Sequence, residues 1–183
     1  MMADKTRRSA AAASRMLRRT LIYAMLGSVM FASKIAMEAL PNIHLLSVLT
    51  MIYTVVFGWQ GIIPVSVGIL LIGLVYGFAP WWVPYLYIFP LLWAVTLLLP
   101  KKMKPGIAVP VYAVVCGLHG LLYGTLYAPF QAIVYGFSMK TTLAWIASGF
   151  PFDVTMAIGN ACLALLIVPL SSVLKKLDSK VMK

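Results

Sequence analysis

The chain has 183 residues, of which 62% are hydrophobic and only 10% carry a charged side chain. Soluble domains are about 45–50% apolar and about 25% charged, so this composition excludes a single water-soluble core. The apolar runs are long and do not alternate with polar residues, which excludes a β-barrel. We therefore expect an all-α integral membrane protein.

Basic residues are concentrated in three clusters that lie outside the apolar runs. Six lie at the N-terminus, three in residues 101–104 and four at the C-terminus, together 13 of the 15 positive side chains. In so apolar a chain this distribution is typical of membrane topology and anionic headgroups, so the charge of +11 does not indicate a nucleic-acid partner. The expected organisation is a basic cytoplasmic tail (1–18), either solvated or an interfacial helix, a membrane domain (19–177) and a second cytoplasmic tail (178–183).

The first predicted helix, residues 21–40, is long enough to cross a bilayer, since 20 helical residues span about 30 Å. It ends at Pro41, which cannot continue a helix. Lys34 and Glu38 lie one turn apart and either neutralise each other near the interface or face a polar cavity. Small side chains recur at every fourth position, which permits close approach of another helix. This small-residue stripe consists of Ala24, Ser28, Ala32 and Ala36.

Further apolar stretches complete a prediction of six transmembrane helices, the other five being residues 45–57, 62–78, 85–99, 107–128 and 151–174. The weakly apolar connection over residues 129–149 is long enough to predict a lid or binding loop. Pro151 is expected to open the sixth helix, which places Asp153 in the first turn, either as a cap or as a ligand contact. Asn160 follows two turns deeper in the hydrocarbon region.

With six helices, both termini and the basic loop at 101–104 lie on the same side of the membrane. The positive-inside rule puts that side in the cytoplasm. The outer side then holds most of the polar and aromatic residues, in segments 34–44, 81–87 and 128–153. The aromatic residues of 81–87 either form an interfacial belt or wall a binding site for an apolar ligand. We therefore expect any ligand site on the outer side.

Motifs for catalysis are absent from the sequence, which has no H-E-x-x-H, G-x-S-x-G or Walker A pattern. Four acidic residues are too few for most metal or acid–base sites, and Cys116 and Cys162 have no metal-ligand spacing. His119 is a site candidate because it is an intramembrane histidine, although a lone histidine is more often a packed hydrogen-bonding residue. The expectation is a protein that is not an enzyme and has no metal or intrinsic cofactor.

Over about residues 18–178 the chain resembles the S components of energy-coupling factor (ECF) transporters, the vitamin-binding membrane subunits of a class of ABC importers. The resemblance rests on the six-helix pattern, the small-residue stripe, Ala-Leu-Pro-Asn-Ile at 39–43, Gly-Phe-Pro-Phe-Asp at 149–153 and the later Asn160. It implies a multi-pass protein of the bacterial plasma membrane that binds its substrate in the outer half.

The resemblance also implies partners. The stripe, at Ala32 and Ala36 or at Ala24 and Ser28, would dock on a transmembrane coupling subunit that joins two cytoplasmic ATPase subunits, and these hydrolyse the ATP.

Cobalamin is the expected ligand, because a wide, aromatic-rich face with few charges suits a large, mostly neutral molecule. A queuosine precursor, pantothenate or folate is the alternative ligand, and a membrane scaffold without a ligand is the alternative function. The candidate substrate-binding residues are Asn42, His44, Trp81, Trp82, Tyr85, Tyr123, Tyr127, Gln131, Tyr135, Asp153 and Asn160.

Overall fold

The computed structural model describes residues 2–181, and every regular element in this range is a helix. Two short 3₁₀ turns, Gly58–Gly61 and Ala164–Leu166, follow the second and seventh α-helices. The α-helices are α1 (Met2–Ala36), α2 (Leu46–Phe57), α3 (Ile62–Tyr76), α4 (Tyr85–Leu98), α5 (Pro105–Leu121), α6 (Tyr123–Tyr135), α7 (Met139–Leu163) and α8 (Ile167–Val181). The all-α prediction is therefore confirmed.

Three helical stretches are long and apolar enough to cross a membrane, namely Leu46–Tyr76, Pro105–Tyr135 and Met139–Val181, and α4 is a shorter apolar helix. In the most apolar 18 residues of each stretch, at most 33% are buried inside the chain. Most of the apolar surface of these helices therefore faces outward, which suits a protein whose solvent is lipid. By length and composition the chain is a helical membrane protein.

The centre of the bundle is α2, whose residues 46–54 are all buried. It packs against α3, α4 and α8. Its 12 residues span only about 18 Å, which is shorter than the hydrocarbon core of a bilayer. The surrounding helices shield α2 from lipid, and this burial explains how so short a helix is accommodated.

The chain reverses direction between α2 and α3, at residues 58–61, which separate the predicted helices 45–57 and 62–78. Gly58 has a φ of 61°, a conformation that residues with a side chain rarely adopt. A Cβ atom built on Gly61 would lie 2.6 Å from the carbonyl oxygen of Tyr53. Tyr53 and Gly61 are eight residues apart, which corresponds to about 12 Å along a straight helix. Because their backbones are in contact instead, the stretch Leu46–Tyr76 is a hairpin of two helices.

Residues 129–149 do not form the predicted loop, and that prediction is wrong. Helix α6 continues to Tyr135 and α7 begins at Met139, so the connection consists of residues 136–138 alone. Gly136 turns the chain with a φ of 65°, and the Ser138 hydroxyl caps α7 by accepting a hydrogen bond from the Thr141 amide.

Helix α7 also begins 12 residues before the predicted start of the sixth helix at Pro151. Pro151 lies inside α7, where neighbouring helices can compensate for the hydrogen bond that a proline removes. Asp153 therefore lies in the middle of this helix, and the expectation that it occupies the first turn is wrong.

Helix α1 is longer than predicted at its start and shorter at its end. It includes the basic N-terminal segment and stops at Ala36, so the predicted helix over 37–40 is wrong and these residues form turns. The Arg18 guanidinium donates to the Val181 carbonyl oxygen at 3.0 Å, and the Arg19 guanidinium donates to the Gln60 side chain. We call this end of the bundle, where α1 meets the α2–α3 turn and the end of α8, the basic end.

Helix α1 packs on α3 through a face that contains Tyr23, Gly27 and Met30. Gly27 lies against Val67, and Met30 lies against Gly68. The small-residue stripe lies on a different face of the helix, and all four of its residues are exposed. The stripe is therefore not used for packing within this chain.

Candidate functional site

A cavity of about 240 Å³ lies at the end of the bundle opposite the basic end. It is formed by the last turns of α1, the connection 37–45, and single residues of α4, α6 and α7. We call it the loop cavity. Its lining residues are Lys34, Met37, Glu38, Leu40, Pro41, Asn42, Ile43, His44, Tyr85, Tyr123 and Met156.

The connection 37–45 owes its shape to Asn42. Asn42 has a φ of 59°, and the Ile43 amide donates to the Leu40 carbonyl oxygen at 3.3 Å. Asparagine tolerates this left-handed conformation better than most residues with a side chain. The turn brings both Asn42 and His44 to the cavity wall.

His44 presents a ring nitrogen that the fold leaves without a partner. Its Nδ1 atom is buried and makes no hydrogen bond within residues 2–181. The pKa of His44 is lowered to about 4, mainly by burial and to a smaller extent by the neighbouring His119 and Lys34, against a backbone hydrogen bond that raises it. At neutral pH the ring is therefore uncharged and offers one donor and one acceptor.

Two side chains of opposite charge line the loop cavity and are tied to α3 through Tyr76. The Lys34 ammonium lies 5.5 Å from the centre of the Tyr76 ring, a cation–π contact. The Tyr76 hydroxyl donates to Glu38 Oε2 at 3.0 Å. Lys34 and Glu38 thus bring both signs of charge to one small cavity.

Aromatic rings form a continuous series from α4 to α7 beside the loop cavity. Successive ring centres are 5.3–6.2 Å apart, within the range of favourable aromatic pairs. The Tyr127 hydroxyl donates to the Trp81 carbonyl oxygen, which closes the series on itself. Its members are Trp81, Tyr85, Phe89, His119, Tyr123, Tyr127 and Trp145. Tyr85 and Tyr123 form the part that lines the cavity.

A buried hydrogen-bond network includes two of the residues considered as site candidates, His119 and Asn160. His119 Nε2 lies 3.3 Å from the Ile88 carbonyl oxygen, so this nitrogen carries the proton and Nδ1 accepts from the Ser47 hydroxyl at 3.2 Å. Asn160 Nδ2 donates to Ser47 Oγ and to the Cys116 carbonyl oxygen, both at 3.3 Å. The network ties α2, α4, α5 and α7 together.

Asp153 caps a helix, although not its own. Helix α6 begins at Tyr123, which leaves the Gly124 amide without a partner in the preceding turn. Asp153 Oδ1 accepts a hydrogen bond from this amide at 3.0 Å. The carboxylate thereby also meets the positive end of the α6 dipole.

The fold separates the predicted substrate-binding residues into groups. Asn42, His44, Tyr85 and Tyr123 line the loop cavity. Trp81 and Tyr127 continue its aromatic wall, whereas Asp153 and Asn160 bond inside the bundle. The remaining three lie apart from the cavity: Trp82 is buried and donates to the Ile69 carbonyl oxygen, Gln131 is half-buried on α6, and Tyr135 is 58% exposed and stacks on Phe137.

Sequence reasoning left seven of the eleven lining residues out of the candidate site. Lys34 and Glu38 carried a signal, because charges next to an apolar run are costly unless they reach a polar space. Met37, Leu40 and Met156 carried none, since apolar residues are common throughout this sequence. In the part of the chain that the structure describes, no group of three His, Cys, Asp or Glu residues could hold a metal ion.

Comparison with known proteins finds no family model, curated protein or solved structure that matches this chain.

Proposed function

We propose that the chain is the substrate-binding S component of an ECF-type importer and that it holds a small vitamin or vitamin precursor in the loop cavity. The observation that carries the proposal is the convergence of Asn42, His44, Tyr85 and Tyr123 on one cavity with Lys34 and Glu38. These residues come from three parts of the sequence that are far apart, namely segment 34–44, Tyr85 and Tyr123. A cavity with a few convergent polar groups and an aromatic wall is typical of a ligand site.

The proposed topology has six transmembrane segments, formed by α1, α2, α3, α4, α5 with α6, and α7 with α8. The reversals at Gly58 and Gly136 support it, as does the Arg18–Val181 hydrogen bond between the two ends of the chain. Lys101 and Lys175 line one cavity at the basic end, so the basic clusters meet there. By the positive-inside rule this end is cytoplasmic and the loop cavity faces outward, in the plasma membrane of a bacterium.

The cavity volume favours the smaller ligands. At about 240 Å³ the loop cavity lies below the usual 300–1,000 Å³ of small-molecule sites, and a corrinoid is far larger. Cobalamin, the ligand expected from the composition of the outer face, would require the connection 37–45 to move away. The polar groups and the two opposite charges of this cavity suit a smaller ligand that carries several hydrogen-bonding groups, such as folate, pantothenate or a queuosine precursor.

The exposed stripe on α1 supports docking on a transmembrane coupling subunit. The face of α1 that carries Ala24, Ser28, Ala32 and Ala36 is not covered by any of residues 2–181, which permits close backbone approach by a partner helix. Transport would then use ATP hydrolysed by two cytoplasmic ATPase subunits of that partner. The alternative function, a scaffold without a ligand, leaves the polar lining of the loop cavity without a role.

The binding test uses the full chain purified in detergent, titrated separately with folate, pantothenate, a queuosine precursor and cobalamin. We expect one of the three smaller compounds to raise the thermal unfolding midpoint, because a ligand at 100 times its Kd stabilises the folded state by about 2.7 kcal/mol. Asn42→Gly should weaken that binding about tenfold, because glycine keeps the left-handed backbone while the amide is lost.

Tyr135→Ala is the matched control, because Tyr135 belongs to the predicted set but lies outside the cavity. It should bind like the wild type. If none of the four compounds stabilises the chain, the vitamin-binding proposal fails. If cobalamin alone does so, the class stands and the preference for small ligands is wrong.

A further inference from the structure

A second cavity, larger than the loop cavity, lies at the basic end between α2, α4, α5 and α8. It has two adjoining parts, of about 420 Å³ and 210 Å³. The parts share four wall residues, Val55, Lys101, Tyr112 and Lys175. We call the two parts together the basic cavity.

The basic cavity is positively charged and partly apolar. Lys101 follows α4 and Lys175 belongs to α8, so the fold brings together two cations that lie more than 70 residues apart in the chain. Among residues 2–181, no acidic side chain lines either part. Both lysines are exposed, so they attract an anion as surface charges do, and salt weakens that attraction.

The hydroxyl of Ser171 gives independent evidence for a ligand. Ser171 is only 4% exposed and lines the smaller part of the cavity. Its Oγ atom is buried and has no hydrogen-bond partner in the described range 2–181. A buried polar group without a partner costs about 1–3 kcal/mol, so a bound acceptor at this position would relieve the cost.

The other hydroxyl groups of the cavity wall differ in what they offer. Thr54 and Thr96 already donate to carbonyl oxygens of their own helices, each at 2.7 Å. Tyr112 is buried and lines both parts of the cavity, and Ser172 lines the smaller part. The wall side chains with donors for a ligand are therefore Lys101, Lys175, Ser171, Ser172 and Tyr112, a set that matches the oxygens of a phosphate.

We propose that the basic cavity binds a phosphate group, presented either by the headgroup of an anionic lipid or by a soluble phosphate compound. The same donors would serve both sources. The inference is independent of vitamin binding, since it concerns a different cavity at the opposite end of the bundle.

The test measures the affinity of the full chain in neutral detergent for three probes: phosphatidylglycerol, phosphatidylcholine and inorganic phosphate. Affinity is read from the concentration dependence of thermal unfolding. The double variant Lys101→Gln/Lys175→Gln should bind phosphatidylglycerol at least about tenfold more weakly. Lys102→Gln/Lys176→Gln removes the same charge from neighbouring lysines that do not line the cavity, and it should weaken binding less than about threefold.

The three probes also separate the two sources. Stabilisation by phosphatidylglycerol alone identifies a lipid headgroup, and stabilisation by inorganic phosphate as well shows that the phosphate group is sufficient. Ser171→Ala should weaken either interaction about threefold or more, because it removes one donor to a charged group. The proposal is overturned if neither anionic probe binds, if the two double variants behave alike, or if Ser171→Ala binds as tightly as the wild type.

Discussion

At the scale of single residues, His44 is a side chain whose charge depends strongly on the fold. The histidine pKa of about 6.5 in an unfolded chain falls to about 4 in the folded protein, mainly because the ring is buried. Between these values the unfolded chain binds a proton that the folded chain does not bind. The free energy of unfolding is therefore highest above about pH 6.5 and decreases as the pH falls towards 4.

We expect His44 to lower the free energy of unfolding by about 1–2 kcal/mol between pH 7 and pH 5. The measurement is the unfolding of the full chain in detergent at both pH values, for the wild type and for His44→Gln, which does not titrate. His119, Glu38 and Asp153 are present in both proteins, so the difference between the two pH dependences isolates His44. Equal pH dependences would show that water reaches the His44 ring in the folded state.

Asp153 illustrates how far a residue can be interpreted from sequence. Its position after Pro151 predicted a cap, and the carboxylate does cap a helix end, that of α6 at Gly124. The cap lies 29 residues away in the chain because it depends on how α6 packs against α7. No local pattern encodes that packing, so the type of interaction was predictable and the partner was not.

At the scale of helices, the close packing of α5 on α7 depends on glycine. A Cβ atom on Gly120 would lie 2.9 Å from the backbone nitrogen and Cα of Ala157, which cannot move without displacing α7. Gly120→Ala should therefore destabilise the chain by about 1–3 kcal/mol.

Gly117→Ala is the matched control on the same face of α5. Its Cβ atom would meet the Ala161 methyl group at 3.4 Å, an ordinary contact, and alanine favours a helix by about 1 kcal/mol over glycine. Thermal unfolding in detergent should place Gly117→Ala at or above the wild type. If Gly120→Ala were as stable as the wild type, α5 and α7 would have to be far enough apart at Gly120 and Ala157 to hold a methyl group.

The error over residues 129–149 also belongs to this scale. Prolines at 129 and 151 and glycines at 136 and 149 are typical of residues that begin and end loops in a soluble protein. In this bundle three of these four positions lie inside helices, and Gly136 alone ends one. Prolines are tolerated in membrane helices because neighbouring groups satisfy the freed carbonyls, so neither the weak hydropathy of this stretch nor its breaking residues indicated a loop correctly.

The exposed stripe of α1 leads to a prediction about partners. Ala32→Leu with Ala36→Leu should fill the groove, so the coupling subunit and ATPases that we propose as partners should not co-purify with this variant, while ligand binding stays intact. Val29→Leu enlarges an exposed residue of α1 outside the stripe and should leave co-purification unchanged. Mass spectrometry of the purified complexes identifies the subunits. Normal assembly of the stripe variant would rule out docking through this face.

At the scale of the whole molecule, the distribution of charge supports the proposal that the basic end faces the cytoplasm. The basic end gathers Arg18, Arg19, Lys101 and Lys175, and Lys34 lines the cavity at the other end. Moving the basic end across a membrane would require the transfer of many positive charges, which the positive-inside rule opposes. Composition alone was sufficient to predict this asymmetry, whereas the cavities at both ends depend on the packing of distant segments.

Cysteine labelling tests the orientation directly. Cys116 and Cys162 are first replaced by alanine, and single cysteines are then introduced as Lys102→Cys at the basic end and Lys140→Cys beyond the 136–138 turn. A membrane-impermeant maleimide added to intact cells should label Lys140→Cys and leave Lys102→Cys unlabelled until the cells are opened. Labelling of both positions from one side would rule out the six-segment topology, because the loop at 101–104 and the turn at 136–138 would then lie on the same side of the membrane. Labelling with the sides exchanged would place the loop cavity in the cytoplasm and exclude uptake through it.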